Sequence, residues 1–225
     1  MNTRMLFLEE LNRLRHDILA MATRVEEDLG KALTALRSND MELAGEVKAS
    51  DAIVNAMQLQ IEDKAAVLIA TQQPVARDLR ELVTIFKISG NLERAGDHTV
   101  HLAKAALKLS SEAPFRAAEH LERMAETGRE MIRASIAAYL SQDAEAARRA
   151  AALDDRIDAE HKELTEAVLR LMKEHPELIK KSVRLLNTSG FLERLGDHMT
   201  NICEGIIYMT EGRHEELNND APGSR

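Results

Sequence analysis

Ser89 to His98 reads SGNLERAGDH, and one hundred residues later Ser189 to His198 reads SGFLERLGDH, with eight of ten positions identical. Identity of that extent at one fixed spacing marks an internal repeat, so the chain is two copies of one supersecondary unit. Both copies lie in long apolar-periodic segments without proline, which places each on an α-helix.

On a helix, residues four apart share a face, each step drifting about 40° and climbing roughly 6 Å. Glu93, Asp97 and His101 therefore form one stripe, and Glu193, Asp197 and Asn201 form its counterpart. Two carboxylates at i and i+4 repel by about 0.2–0.5 kcal/mol, so a pair that recurs in both copies asks for something to neutralise it. One reading is ordinary ion pairing on a solvated face, with Arg94 and Arg194 bridging to Asp97 and Asp197 three residues on. The other is a metal, because Asp, Glu, His and an Asn carbonyl are oxygen and nitrogen donors suited to divalent or trivalent iron, manganese, zinc or magnesium. The repetition of the stripe favours the metal. Four glycines also recur in register on these helices, Gly90, Gly96, Gly190 and Gly196. Each costs about 1 kcal/mol relative to alanine, which is understandable if a neighbouring helix or a ligand comes close there.

Composition bounds the class. The chain has 225 residues, no Trp, only four Pro, 3% aromatic residues and a formal net charge of −8. Abundant Ala, Leu, Glu and Arg with so few breakers point to an all-α protein with a sizeable core. The acidic balance, with no basic patch, argues against a nucleic-acid grip. The single cysteine, Cys203, excludes an intramolecular disulfide and suits a reducing interior; it falls off the stripe and reads as a buried core thiol. No apolar run approaches the roughly 20 residues of a membrane span, and the protein is expected to be cytoplasmic.

Outward from the motif, Leu11, Leu14, Ile18, Met21 and Val25 form the seam of a first helix running to about Arg37. Ser38, Asn39 and Asp40 offer cap chemistry for a second helix carrying Val47, Val54, Met57, Ile61 and Leu68 inward. Pro74 ends it and starts the motif helix, which continues to about Leu109. Ser110 to Pro114 is a linker. The order then repeats: a fourth helix from Phe115 to Leu140 on Leu121, Met124, Met131, Ile132, Ile136 and Tyr139; a capping turn at Ser141, Gln142 and Asp143; a fifth helix on Leu153, Ile157, Leu164, Val168 and Leu171; Pro176; and the second motif helix. The expected architecture is two tandem pseudo-symmetric three-helix bundles, residues 1–110 and 115–212. A tail from Glu211 onward, in particular residues 213–225, lacks periodicity and is expected to be frayed or disordered.

LERAGDH and LERLGDH, with QQPVARDLREL at Gln72 to Leu82 and NICEGIIYM at Asn201 to Met209, resemble the PhoU family over nearly the whole chain. The resemblance implies six long helices and a non-enzymatic cytoplasmic adaptor. It implies coupling of the ATPase subunit of a phosphate ABC transporter to a sensor histidine kinase, repressing the phosphate-starvation response when phosphate is plentiful. It further implies a homodimer that reaches membranes only through its partners. The stripes would hold metal, with acidic residues of the preceding helix completing each shell: Asp51 in the first half, Asp155 and Asp158 in the second. Two departures set the halves apart, His101 standing opposite Asn201 and Asn55 standing where an aspartate like Asp158 is expected. His98 and His198 point about 100° off the stripe and are expected to support a metal shell from outside or lie on the surface. A different class, a helical carboxylate-bridged metalloenzyme of ferritin-like type, needs Glu-x-x-His pairs on two helices. The only such spacing in this chain is Glu211 to His214.

Overall fold

The computed structural model describes residues 3–109 and 115–217, and the linker expected at Ser110 to Pro114 lies outside the described residues. Every regular element among them is helical: α1 Thr3–Ser38, α2 Met41–Gln72, α3 Ala76–Leu109, α4 Phe115–Ser141, α5 Ala144–Ala151, α6 Asp154–Glu174 and α7 Ile179–Glu211, the last entered through a 3-10 turn at Pro176–Leu178.

The repeated turns obey the capping chemistry that their residues offer. Asp40 accepts from the N–H groups of Glu42 and Leu43, and Asp143 accepts from that of Ala146. The residue before each cap is left-handed, Asn39 at φ 54° and Gln142 at φ 55°. Asparagine adopts that conformation readily, glutamine at some cost. Gln142 is held there from both ends of its side chain, which accepts from Arg77 (2.5 Å) and donates to Glu81 (3.2 Å).

One difference from expectation lies in the fifth helix, which is broken into α5 and α6 by a turn at Ala152 and Leu153. The segment contains no glycine or proline to announce a break. Its consequence is positional: the break sets Asp154, buried, at the start of α6, directly over Gly196 of α7.

The apolar seams converge on one continuous core, with Leu11, Leu14, Ile18, Met21 and Val25 of α1, Ile61 of α2, Ile85, Ile88 and Leu92 of α3 and their counterparts Leu192, Leu195 and Met199 of α7 all buried. α3 and α7, the two motif helices, run antiparallel down its middle. The register is visible in Thr84 donating to the Gly205 carbonyl (3.2 Å), His198 meeting Asn91 (2.9 Å) and His101 stacking on Phe191. α1 and α2 cover α3, while α4, α5 and α6 cover α7. The halves are also joined by Glu26 of α1, which accepts from Arg129 (2.8 Å) and Arg133 (2.9 Å) of α4.

Part of the tail is held. His214 stacks on Tyr208 (4.3 Å), Glu215 accepts from Arg148 (2.7 Å), and the Leu217 N–H donates to Glu204 (2.9 Å). The remainder from residue 218 lies outside the described residues.

Candidate functional site

Periodicity divides each motif helix into an inner and an outer face. Leu92, Ala95 and Thr99, like Leu192, Leu195 and Met199, go into the core. Glu93 and Asp97 are left half-buried, with 18% and 34% of their side-chain surface exposed, while His101 is exposed. In the second copy Glu193 and Asp197 are half-buried and Asn201 exposed. Each acidic ridge therefore follows the groove between its motif helix and the helix before it.

The electrostatics match in the two grooves. Burial pushes the Glu93 carboxyl above its ordinary range, Asp97 adds to this against the pull of Arg94, and Asp51 and Glu62 of α2 add further. Burial likewise raises Glu193, reinforced by Asp197 and by Asp158 of α6 and opposed by Arg194. Asp51 and Asp158 thus act on the two ridges. Asp155 is exposed and is not among the charges acting on Glu193. The capping turns are 103 residues apart, and that spacing carries Asp51 to Asp154 and Asn55 to Asp158. Asp154, which the sequence reading passed over for its neighbour, is the positional counterpart of Asp51. It is buried and accepts from Thr200 (3.2 Å).

Arginine does not close the first ridge. Arg94 lies 3.6 Å from Glu93 and 3.5 Å from Asp97, beyond hydrogen-bond distance, and 64% of its side chain is exposed. Such a pair contributes at most about 1 kcal/mol. Two carboxylates raised by burial and by each other are a place where a hard cation is favoured, and their oxygens suit magnesium, manganese, iron or zinc. The donors are spread along the groove. Among the described residues, the one set of three His, Cys, Asp or Glu side chains with ligand atoms all within 4.8 Å of one another is His120, Glu160 and Glu163. His101 does not complete such a set with Glu93 and Asp97; its ring lies flat on Phe191 of α7 (4.6 Å, 14°).

The His120 set was not foreseen, since it joins α4 to α6. Glu160 there accepts from Arg123 at both oxygens (2.6 and 2.9 Å) and meets His120 at 2.6 Å. Arg123 holds its carboxyl below the ordinary range, and the set reads as an ion-pair network between two helices. Glu211 and His214, the Glu-x-x-His pair, are engaged with Arg148 and Tyr208 respectively.

The motif histidines, both half-buried, meet across the seam of α3 and α7. His98 and His198 stack on each other across the seam (5.4 Å, 22°), and the Phe191 ring also stacks with His98 at 6.0 Å. Burial pulls His98 down to about 4, reinforced by His198, Arg194 and His101 and opposed by Asp97; His198 is lowered too, chiefly by burial. Both rings are neutral at pH 7. An unfolded histidine takes its proton near pH 6.5, the folded His98 only near 4, so stability is present above pH 6.5 and is lost as pH falls through that window. Because the ring is half-exposed, solvent screening leaves roughly 1–2 kcal/mol of this. Urea titrations of chelator-treated protein at about pH 7, 5.5 and 4.5 are expected to show the loss, and His98→Gln should flatten it. A profile identical in the variant would refute the assignment.

The family model described as "PhoU domain" matches residues 18–106 and 121–206, one match per half. A phosphate-specific transport system accessory protein PhoU homolog of Clostridium acetobutylicum is 34% identical over 217 residues, 96% of this chain and 99% of that one. The crystal structure of the phosphate transport system regulatory protein PhoU from Streptococcus pneumoniae superposes with a TM-score of 0.88 at 33% identity, covering 94% of this chain and 100% of that one. That of PhoU from Pseudomonas aeruginosa gives 0.87 at 31% identity, covering 92% and 100%.

Proposed function

Because this chain belongs to the PhoU family, we propose that it is a cytoplasmic adaptor which restrains phosphate uptake and represses the phosphate-starvation response when phosphate is plentiful. At the level of the family it is a phosphate transport accessory and regulatory protein. The finer reading is that it couples the ATPase subunit of a phosphate ABC transporter to a sensor histidine kinase, as a homodimer built from repeat units 1–110 and 115–212. Among the described residues no helix is long and apolar enough to cross a membrane, so membranes would be reached through those partners. We read the protein as non-catalytic. Its one thiol, Cys203, is fully buried, and burial pushes it up to about 12, far from a nucleophile at neutral pH.

The observation that carries the reading is the duplicated ridge with its raised glutamates. Glu93, Asp97 and Asp51 would hold one cation and Glu193, Asp197 and Asp158 the other. A bound cation would supply positive charge that discharges the ridge and fixes the motif helix to the helix before it. The carboxylates themselves set the spacing and the hard-donor preference.

Elemental analysis of purified wild type and of the Asp97→Ala/Asp197→Ala double variant tests the sites. Loss of most bound metal is expected, and equal content in both would end the metal proposal. For signalling, deletion is expected to derepress phosphate-starvation genes in phosphate-rich medium, and an unaltered response would sink the adaptor.

A further inference from the structure

α2 carries apolar residues almost evenly around its circumference, the pattern of a helix covered on all sides. α1 and α3 are the helices packed against it, and its remaining side faces outward. There Leu59 is 62%, Val67 61% and Ile53 45% exposed. Ala52, Ala56 and Ala66 stand between them, exposed as well. From Ala49 to Ala70, about 32 Å of helix, the outward face is a nearly flat apolar surface.

The internal repeat supplies a control within the same molecule. α6 takes the matching place against α4 and α7. The 103-residue offset of the capping turns sets Asp155, Arg156, Lys162 and Arg170 where α2 has Ala52, Ile53, Leu59 and Val67. The outward face of α6 is therefore charged, as a solvated helix face normally is. The fold does not ask for an apolar face at this place, and an apolar surface of such length marks one that another molecule covers.

Two charges remain on the outward face of α2, Lys48 and Asp63, about 22 Å apart along the helix and about 60° around it. Glu46 and Lys64, at the edge toward α1, are paired with Lys31 and Asp17 at 2.7 Å each. Among the described residues no ion pair engages Lys48 or Asp63. Opposite charges at the two ends of one face are complementary to that same face turned end for end, which is the condition for a two-fold contact.

We propose that α2 pairs antiparallel with α2 of a second copy of this chain, about a two-fold axis beside Ala56. Lys48 of each protomer then faces Asp63 of the partner subunit, and Ala52 faces Leu59 of the partner subunit. Small residues opposite large ones interdigitate, and the alanines at the crossing let the two helices approach closely. A concavity of about 330 Å³ between α1 and α2, lined in part by Leu14, Asp63, Val67 and Leu68, extends the surface onto α1. The proposal rests on the reading of the protein as a homodimer and assigns that dimer its face; it requires no metal on the ridges.

Sedimentation equilibrium of the full chain from about 1 to 200 µM tests it. A dissociation constant on the order of micromolar is expected, because one helix pair lies at the low end of specific interfaces. Leu59→Lys installs what α6 carries and should weaken the dimer tenfold or more. Lys48→Asp and Asp63→Lys each set like charges opposite one another and should weaken it severalfold, while the double exchange Lys48→Asp/Asp63→Lys should recover the affinity. Lys162→Leu, at the matching place on α6, should change nothing. All these side chains are exposed, and circular dichroism checks that each variant folds. Equal dimerisation of wild type and Leu59→Lys overturns the proposal and leaves a homodimer through another face. A double exchange no tighter than its single parents also overturns it. Wild type that stays monomeric throughout overturns the face and the homodimer together; loss of repression in cells carrying Leu59→Lys would then give the face to a helix of another protein.

Discussion

Glu81→Ala is expected to destabilise the protein by about 3 kcal/mol, at the lower end of the range for breaking a buried ion pair. Glu81 is 3% exposed. Its carboxylate accepts from Arg15 Nε (2.6 Å) and Nη2 (2.8 Å) of α1 and from Gln142 Nε2 (3.2 Å) of the turn after α4. One side chain of α3 thus ties a helix of the first half to the capped turn of the second. Truncation leaves the Arg15 guanidinium without its bidentate partner, and only 26% of that side chain reaches water. It also releases Gln142 from one of the two contacts that hold it at φ 55°. For a chain of this length about 3 kcal/mol corresponds to a fall in Tm of roughly 6–12 °C. Adding Arg15→Met should recover part of the loss, because the stranded charge goes with it. A Glu81→Ala melting within about 2 °C of wild type would show that the pair contributes nothing.

That tie marks where sequence reading stops. The architecture was legible because its signals are local: the heptad-like seams through Leu11 and Leu121, the two aspartate-capped turns, the prolines before each motif helix and the duplicated motif itself. The ridges were legible for the same reason, since Glu93 and Asp97 share a face by helical geometry alone. Contacts between residues about a hundred apart were not. Arg15 and Glu81 read as surface charges until α1 and α3 are packed. His98 and His198 read as flanking the ridges until α3 and α7 are set antiparallel, when each ring becomes the other's floor. The break at Ala152 and Leu153 carries no glycine or proline, so Asp155 looked the better candidate where the fold buries Asp154. The 103-residue offset of the caps was the available clue, because it pairs Asp51 with Asp154.

Gly196→Ala is expected to cost about 2–3 kcal/mol, whereas Gly190→Ala, one and a half turns earlier on the same helix, should gain about 0.5–1 kcal/mol. The four motif glycines are alike in sequence but not in surroundings. A Cβ at Gly190 meets nothing within 4 Å, and one at Gly90 meets only Gln58 Nε2 at 3.9 Å. At both, alanine removes the entropic cost of glycine and introduces no clash, so the expectation of a close neighbour fails there. At Gly96 a Cβ would touch Val54 Cγ1 at 3.3 Å, which a small shift absorbs, leaving stability near wild type. At Gly196 it would lie 2.1 Å from Asp154 Oδ1 and 3.2 Å from Ile157 Cδ1. The buried Asp154 cannot swing into solvent without giving up Thr200, its donor at 3.2 Å, so the start of α6 has to move off α7. Asp158, one turn further along α6, acts on Glu193. The same displacement should therefore lower metal binding at the second ridge and leave the first as it was. Chemical denaturation of the four alanine variants, with metal titrations of Gly196→Ala, measures both effects. Equal stability of Gly190→Ala and Gly196→Ala would show that α6 yields without cost, and the close approach of Asp154 would then have no part in fixing the second groove.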